Sequence, residues 1–210
     1  MDIPLAFIAG APRSGTTRAL IALSAHPDID LCDRAYLGWE KPKRTLETGV
    51  AVRNTAEKLK LIIQEAYVRN GSKALVEKTP GNAFHVKKIR EAFPNALVIY
   101  TRRNRQDNVD SLVRASRLNF FSGFPDTEDK ARSLLHIYDT VGYSQFEEID
   151  GPKIAIDFLT AMRHPQREYS KAIELLRIEP NQQWKANLRA TINKRHKGAP
   201  ENSTVRFGAA

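Results

Sequence analysis

Three features of the 210-residue sequence predict a three-layer α/β/α fold around a central parallel sheet. Short apolar runs alternate with longer segments of helical spacing, as in strands joined by helical crossovers. The runs at 5–9 and 96–101 are apolar almost throughout, which suits strands covered on both faces. Between the first strand and first helix stands Gly10-Ala-Pro-Arg-Ser-Gly15. Such a turn aims backbone N–H groups and the positive end of a helix dipole at one point, a P-loop-like anion site.

The elements follow in order. Residues 5–9 form the first strand, and 16–25 a helix that ends at His26-Pro27. A short strand is expected at 29–32, followed by a polar, irregular stretch over 33–49. Residues 50–70 carry Leu59, Ile62, Ile63, Ala66 and Tyr67 at helical spacing and stop at Asn70-Gly71. A strand at 73–77, a helix at 82–93 closed by Pro94, and a strand at 96–101 come next. Helices are then expected at 105–117 and 127–146, the loop between them holding Gly123 and Pro125. A strand at 153–156 and a helix at 165–176 complete the pattern. Residues 1–197 read as one domain, and 198–210, rich in small and polar residues, as a flexible tail.

Composition narrows the partners. The 33 Lys and Arg residues outnumber 24 acidic ones, for a net charge of +9, so an anionic partner is expected. Nucleic acid, an acidic polymer and a multiply phosphorylated small ligand all satisfy that charge. The single Cys32 excludes an internal disulfide and a Cys-rich metal site, and it reads as a buried side chain. No apolar run approaches the roughly 20 residues of a membrane span. With no basic leader ahead of the first strand, a cytoplasmic protein is expected. His26, Trp39 and Trp184 read as packing residues.

The glycine spacing of the first turn is that of a nucleotide phosphate loop, but Thr16 follows Gly15 where a Walker A loop has lysine. The turn can cradle a phosphate and lacks the group that reaches a γ-phosphate. Two further segments end strands and so converge on the same sheet edge. They are Glu77-Lys78-Thr79-Pro80 and Ile99-Tyr-Thr-Arg-Arg103, the latter followed eight residues on by Ser111. Together they collect Arg13, Lys78, Arg103, Ser111 and several hydroxyls around one anionic ligand. A P-loop nucleotide kinase or NTPase, and a non-catalytic nucleotide- or nucleic-acid-binding protein, are the competing readings.

These motifs carry a family resemblance. Pro12-Arg13-Ser14-Gly15-Thr16-Thr17 with His26-Pro27, Lys78-Thr79-Pro80, and Arg103 paired with Ser111 resemble the sulfotransferases that use 3′-phosphoadenosine 5′-phosphosulfate (PAPS). The loop is most similar to the tyrosylprotein and carbohydrate branches. The resemblance implies a phosphosulfate-binding loop and in-line sulfuryl transfer to a hydroxyl or amine, releasing 3′-phosphoadenosine 5′-phosphate (PAP), with no metal required. It implies that Arg13, Ser14, Gly15, Thr16 and Thr17 hold the 5′-phosphosulfate, and that Arg103 and Ser111 hold the 3′-phosphate. Lys78 then meets the sulfuryl oxygens. Arg195 and Lys197 resemble a late segment that closes over the 3′-phosphate. The tyrosylprotein branch's base position falls on Arg34 here, so Asp33 and Glu40, ahead of His85, are the candidate bases. The acceptor and oligomeric state are not legible.

Overall fold

The structure, a computed structural model, describes residues 3–32, 47–70, 73–118 and 123–197, and of 69–70 and 192–197 the helical backbone alone. Five strands form one sheet in the order β2-β3-β1-β4-β5. They are β1 (Leu5–Gly10), β2 (Ile29–Cys32), β3 (Ala74–Lys78), β4 (Leu97–Arg102) and β5 (Lys153–Asp157). Every pair is parallel, which confirms the expected fold class.

Alternation along the strands splits the core between two layers. Leu5, Phe7, Ala9, Leu75, Val98 and Tyr100 face one layer. Ala6, Ile8, Ala74, Val76, Leu97 and Ile99 face the other. On the first face lie α3 (Ala56–Asn70), α4 (Val86–Ala92), α5 (Arg105–Arg117), α6 (Glu128–Ile137) and α7 (Tyr143–Glu148). On the second lie α1 (Thr16–Ser24), α9 (Pro165–Leu175) and α10 (Gln182–Lys197). Both faces of β1 are therefore covered, and its six residues are all buried.

Three expected elements differ in detail, and one further helix carried no expectation. The helix expected at 50–70 is two, α2 (Val50–Arg53) and α3, because Asn54 turns extended at φ −122°. Its side chain donates to the Val50 carbonyl at 2.8 Å, and the Thr55 hydroxyl accepts from Lys58 N–H at 3.4 Å. A Thr cap inside an apolar-periodic stretch restarts the helix. The helix expected at 82–93 begins as a 3₁₀ turn, Pro80–Phe84, set by proline at its first position, and continues as α4. The long helix expected at 127–146 runs on to Glu148 but is interrupted by a π turn, Tyr138–Gly142, between α6 and α7. Residues 158–163, which carried no element expectation, form α8 (Phe158–Arg163), capped by Asp157 through Thr160 N–H at 2.8 Å.

Smaller expectations hold. Trp184 is fully buried and its Nε1 donates to the Ala22 carbonyl at 2.9 Å. His26 is buried, with Nε2 at 3.0 Å from the Glu179 carbonyl. Cys32 is buried and forms no disulfide. Trp39 and the tail 198–210 lie outside the described residues. Among the described residues no helix is long and apolar enough to cross a membrane.

Candidate active site

The parallel register brings the three segments to one edge. Ile8 lies level with Lys78 on β3, and Gly10 level with Thr101 on β4. The turn after β1 thus rises between Lys78 on one side and the Arg102–Arg103 end of β4 on the other. Position 10 requires glycine, since φ is +134° and a Cβ there would stand 2.5 Å from the Thr101 carbonyl oxygen. Gly15 is at φ +108° and forms the N-cap of α1 with no side-chain cap. The first-turn N–H groups of α1 therefore face the edge with the partial positive charge of the dipole and no acidic side chain to offset it.

The turn is held from within. Ser14 N–H donates to the Ala11 carbonyl at 3.1 Å, and Ser14 Oγ bonds to Thr101 Oγ1 at 2.7 Å. Thr101 Oγ1 also donates to the Ala9 carbonyl. Ser14 is buried, and its N–H and hydroxyl serve the loop's own shape, leaving the amides of Gly15, Thr16 and Thr17 at the helix start as the anion-facing set. Thr16, in the place of a Walker lysine, is buried too.

Arg13 carries the loop's charge. It sits at φ +69°, in the left-handed region, where a residue with a Cβ is held only by surrounding structure. Its Nε donates to Ser111 Oγ at 3.2 Å, and its carbonyl accepts from Arg103 Nη1 at 3.3 Å. Arg13, Arg103 and Ser111 thus form one cluster, although the family resemblance implied Arg13 at the opposite end of the donor. Burial and the neighbouring Arg114 charge pull the Arg13 pKa down. Burial does the same for Arg103, against the pull of Asp107. Crowded cations short of counter-charge make a favourable seat for a phosphate.

Arg103 is aimed by Phe158. Its guanidinium carbon lies 4.7 Å from the Phe158 ring centroid, and its buried Nε has no hydrogen-bond partner. The same ring packs on Gly15, where a Cβ would come within 2.6 Å of Phe158 Cδ2. Gly15→Ala is therefore expected to displace Phe158 and strain the turn, costing about 2–4 kcal/mol of stability. Thermal denaturation reads this directly, and an unchanged melting temperature would refute the contact's importance. A cleft of about 440 Å³ opens alongside, lined by Ser14, Thr101, Arg103, Asn104, Asn108 and Asp157.

Across β1, Lys78 ends β3 with its side chain 1% exposed. Its Nζ donates to Glu47 Oε1 at 3.0 Å. Desolvation lowers the Lys78 pKa, opposed by the Glu47 charge. Beneath it, Glu77 is fully buried and accepts from Thr48 Oγ1 at 2.7 Å, Thr79 Oγ1 at 2.6 Å and Asn82 Nδ2 at 2.6 Å. Burial pushes the Glu77 carboxyl up, and those three donors hold it back. Asn82 Nδ2 also donates to the Ile8 carbonyl at 3.1 Å, so the network pins β3 to β1 just below the loop.

Asp33 and Glu40 lie outside the described residues. Arg195 and Lys197 fall in the last turn of α10, where the backbone alone is described. His85 is half-buried between the 3₁₀ turn and α4, its pKa lowered by burial and Lys88. The sequence reading missed Thr101, Phe158, Glu77, Asn82 and Glu47. A glutamate inside an all-buried strand end was the available signal for Glu77. Among the described residues no three His, Cys, Asp or Glu side chains converge on a metal position.

The match to known proteins agrees with this geometry. Protein-tyrosine sulfotransferase 1 from Danio rerio is 26% identical over 198 residues, covering 86% of this chain and 55% of the relative. This chain thus spans about half that relative's length. Sulfotransferase STF9 from Mycobacterium avium has a similar structure, with a TM-score of 0.66 at 15% identity, covering 95% of this chain and 70% of that one. Mouse sulfotransferase SULT7A1, solved in complex with PAP, gives 0.60 at 16% identity over 93% of this chain and 67% of its own. At such identities the solved structures establish a shared fold. The model of the sulfotransferase family matches residues 4–183, most of the chain and every strand of the sheet, and the protein belongs to that family.

Proposed function

We propose that the protein transfers a sulfuryl group from PAPS to a hydroxyl acceptor and releases PAP. One observation carries the reading: an uncapped helix N-terminus and a second cationic cluster, Arg13–Ser111–Arg103, flank the same turn with no lysine between them. That pattern suits a ligand with two separated anionic groups and no γ-phosphate. The buried, partnerless Arg103 Nε is a donor in want of an acceptor, which fits a 3′-phosphate. The nucleotide-kinase reading is not favoured, since the position that would carry its lysine is a buried threonine.

PAPS supplies the activated sulfuryl group, and the protein's part is placement and charge. The first-turn amides of α1 hold the 5′-phosphate. Arg103, kept flat by Phe158, and Ser111 hold the 3′-phosphate, for which a guanidinium fork is suited. Arg13 belongs to that cationic cluster and adds its charge to the 3′-phosphate seat, while Lys78, on the far side of β1, meets the sulfuryl oxygens. Fixed cations then do work that a metal ion does in phosphoryl transfer.

Titration calorimetry tests this. PAP is expected to bind without Mg²⁺ and far more tightly than ADP. Arg103→Ala should erase that advantage, by about 2–4 kcal/mol for a partly buried charge pair. Preference for Mg-ATP overturns the function. Equal loss of ADP and PAP affinity overturns the role of Arg103.

A further inference from the structure

We propose that Glu47, and no residue singled out from the sequence, is the base that takes the acceptor's proton. The inference rests on the transfer reading above and locates its missing group. Lys78 and Arg103 stand on opposite sides of β1, at the ends of β3 and β4. If the 3′-phosphate lies at Arg103, chemistry takes place on the Lys78 side, and the base must be there.

Glu47 is placed for it. Its carboxylate bonds to Lys78 Nζ at 3.0 Å, yet its side chain is 35% exposed where that of Lys78 is 1% exposed. One oxygen faces the buried cation, and the group as a whole stays open to an arriving hydroxyl. The backbone on its C-terminal side is fixed. Thr48 donates to Glu77, and Gly49 N–H donates to Thr79 Oγ1 at 3.0 Å, so residues 48–49 are tied to the Lys78-Thr79 corner. Tyr138, the first residue of the π turn, senses the same carboxylate. Its hydroxyl is pushed up to about 12 by burial and, less, by the Glu47 charge.

The other described carboxylates nearby are engaged elsewhere. Glu77 is fully buried under three donors. Asp107 and Asp110 act on Arg103. Asp139 and Asp157 line the cleft on the β4–β5 side.

In the step, the acceptor oxygen forms its bond to sulfur as the bond from sulfur to the 5′-phosphate oxygen breaks. PAP leaves with that electron pair. The acceptor's proton passes to a Glu47 oxygen and then to solvent. When Lys78 turns to the sulfuryl oxygens, the Glu47 oxygen that it holds at 3.0 Å is freed for the acceptor.

Sulfuryl transfer from PAPS to 4-methylphenol and to 4-nitrophenol tests the assignment, with PAP calorimetry alongside. The first acceptor must lose a proton during transfer, and the second ionises near neutrality. Glu47→Gln is expected to keep PAP affinity within about twofold and to slow transfer to 4-methylphenol about 10²–10⁴-fold. Transfer to 4-nitrophenol should fall less than tenfold, and Glu47→Asp should be intermediate. Equal losses with both phenols, or no loss, overturn the proposal. So does a selective loss in Asp33→Asn or Glu40→Gln instead. Failure of the transfer reading itself shows separately, as wild-type protein that does not bind PAP.

Discussion

Lys78→Met is expected to make the protein more stable and nearly inactive. A buried ammonium is costly unless its partner repays the lost hydration. Here desolvation outweighs the Glu47 charge, so the Lys78 pKa falls below its ordinary 10.5. The folded state then holds this proton less tightly than the unfolded chain does. The cost is therefore fully present at neutral pH and fades as pH rises through the folded pKa towards 10.5. Methionine fills a similar volume without charge, and the Glu47 it leaves behind is exposed enough to be hydrated. A gain of about 1–3 kcal/mol follows, or about 2–4 °C per kcal/mol for a chain of this size. Transfer should fall about 10²–10³-fold through loss of one preorganised cation. Melting curves of both proteins from pH 7 to 10 check the sign: the gap between them should narrow as pH rises. A less stable Met variant would show that the ion pair is a net support.

The opposite outcome is expected one residue earlier. Glu77→Ala leaves Thr48, Thr79 and Asn82 with buried donors and no acceptor, and opens a cavity between β3 and β1. Broken buried networks cost about 3–5 kcal/mol, so a fall of about 6–20 °C is expected. Glu77→Gln should lose far less. It keeps the shape and one acceptor, and burial already opposes the charge. Equal losses for Ala and Gln would mean that the charge itself is what the site needs.

Two neighbours on one strand, one stabilising and one costly, illustrate what the sequence did and did not disclose. The sheet was legible because strands covered on both faces are apolar almost throughout, as in 5–9 and 96–101. The loop was legible because Gly10 and Gly15 mark positive φ angles and Thr16 replaces a lysine. Helix interruptions were not, since Asn54 and the π turn act through local hydrogen bonds that leave the apolar period intact. The site's inner partners were also hidden. Thr101 meets Ser14 across 87 residues and Phe158 meets Gly15 across the sheet, contacts made by topology and not by any local pattern. Glu47 was invisible for the same reason: it lies 31 residues from Lys78.

The π turn between α6 and α7 sets a rotational phase for the chain on its way to β5. Downstream of it, Tyr143 lies beneath Arg102 at 4.3 Å, and Phe146 packs against Tyr100 with centroids 5.3 Å apart. An α-helix advances about 100° per residue. Removing one residue from the regular helix α6, with the π turn kept, would act as a twist more than a shortening. It would swing both rings about a quarter turn from the sheet and bring polar neighbours round in their place. Length variation in this stretch is thus tolerated in whole turns, and a lone insertion or deletion is read by the core as a change of face.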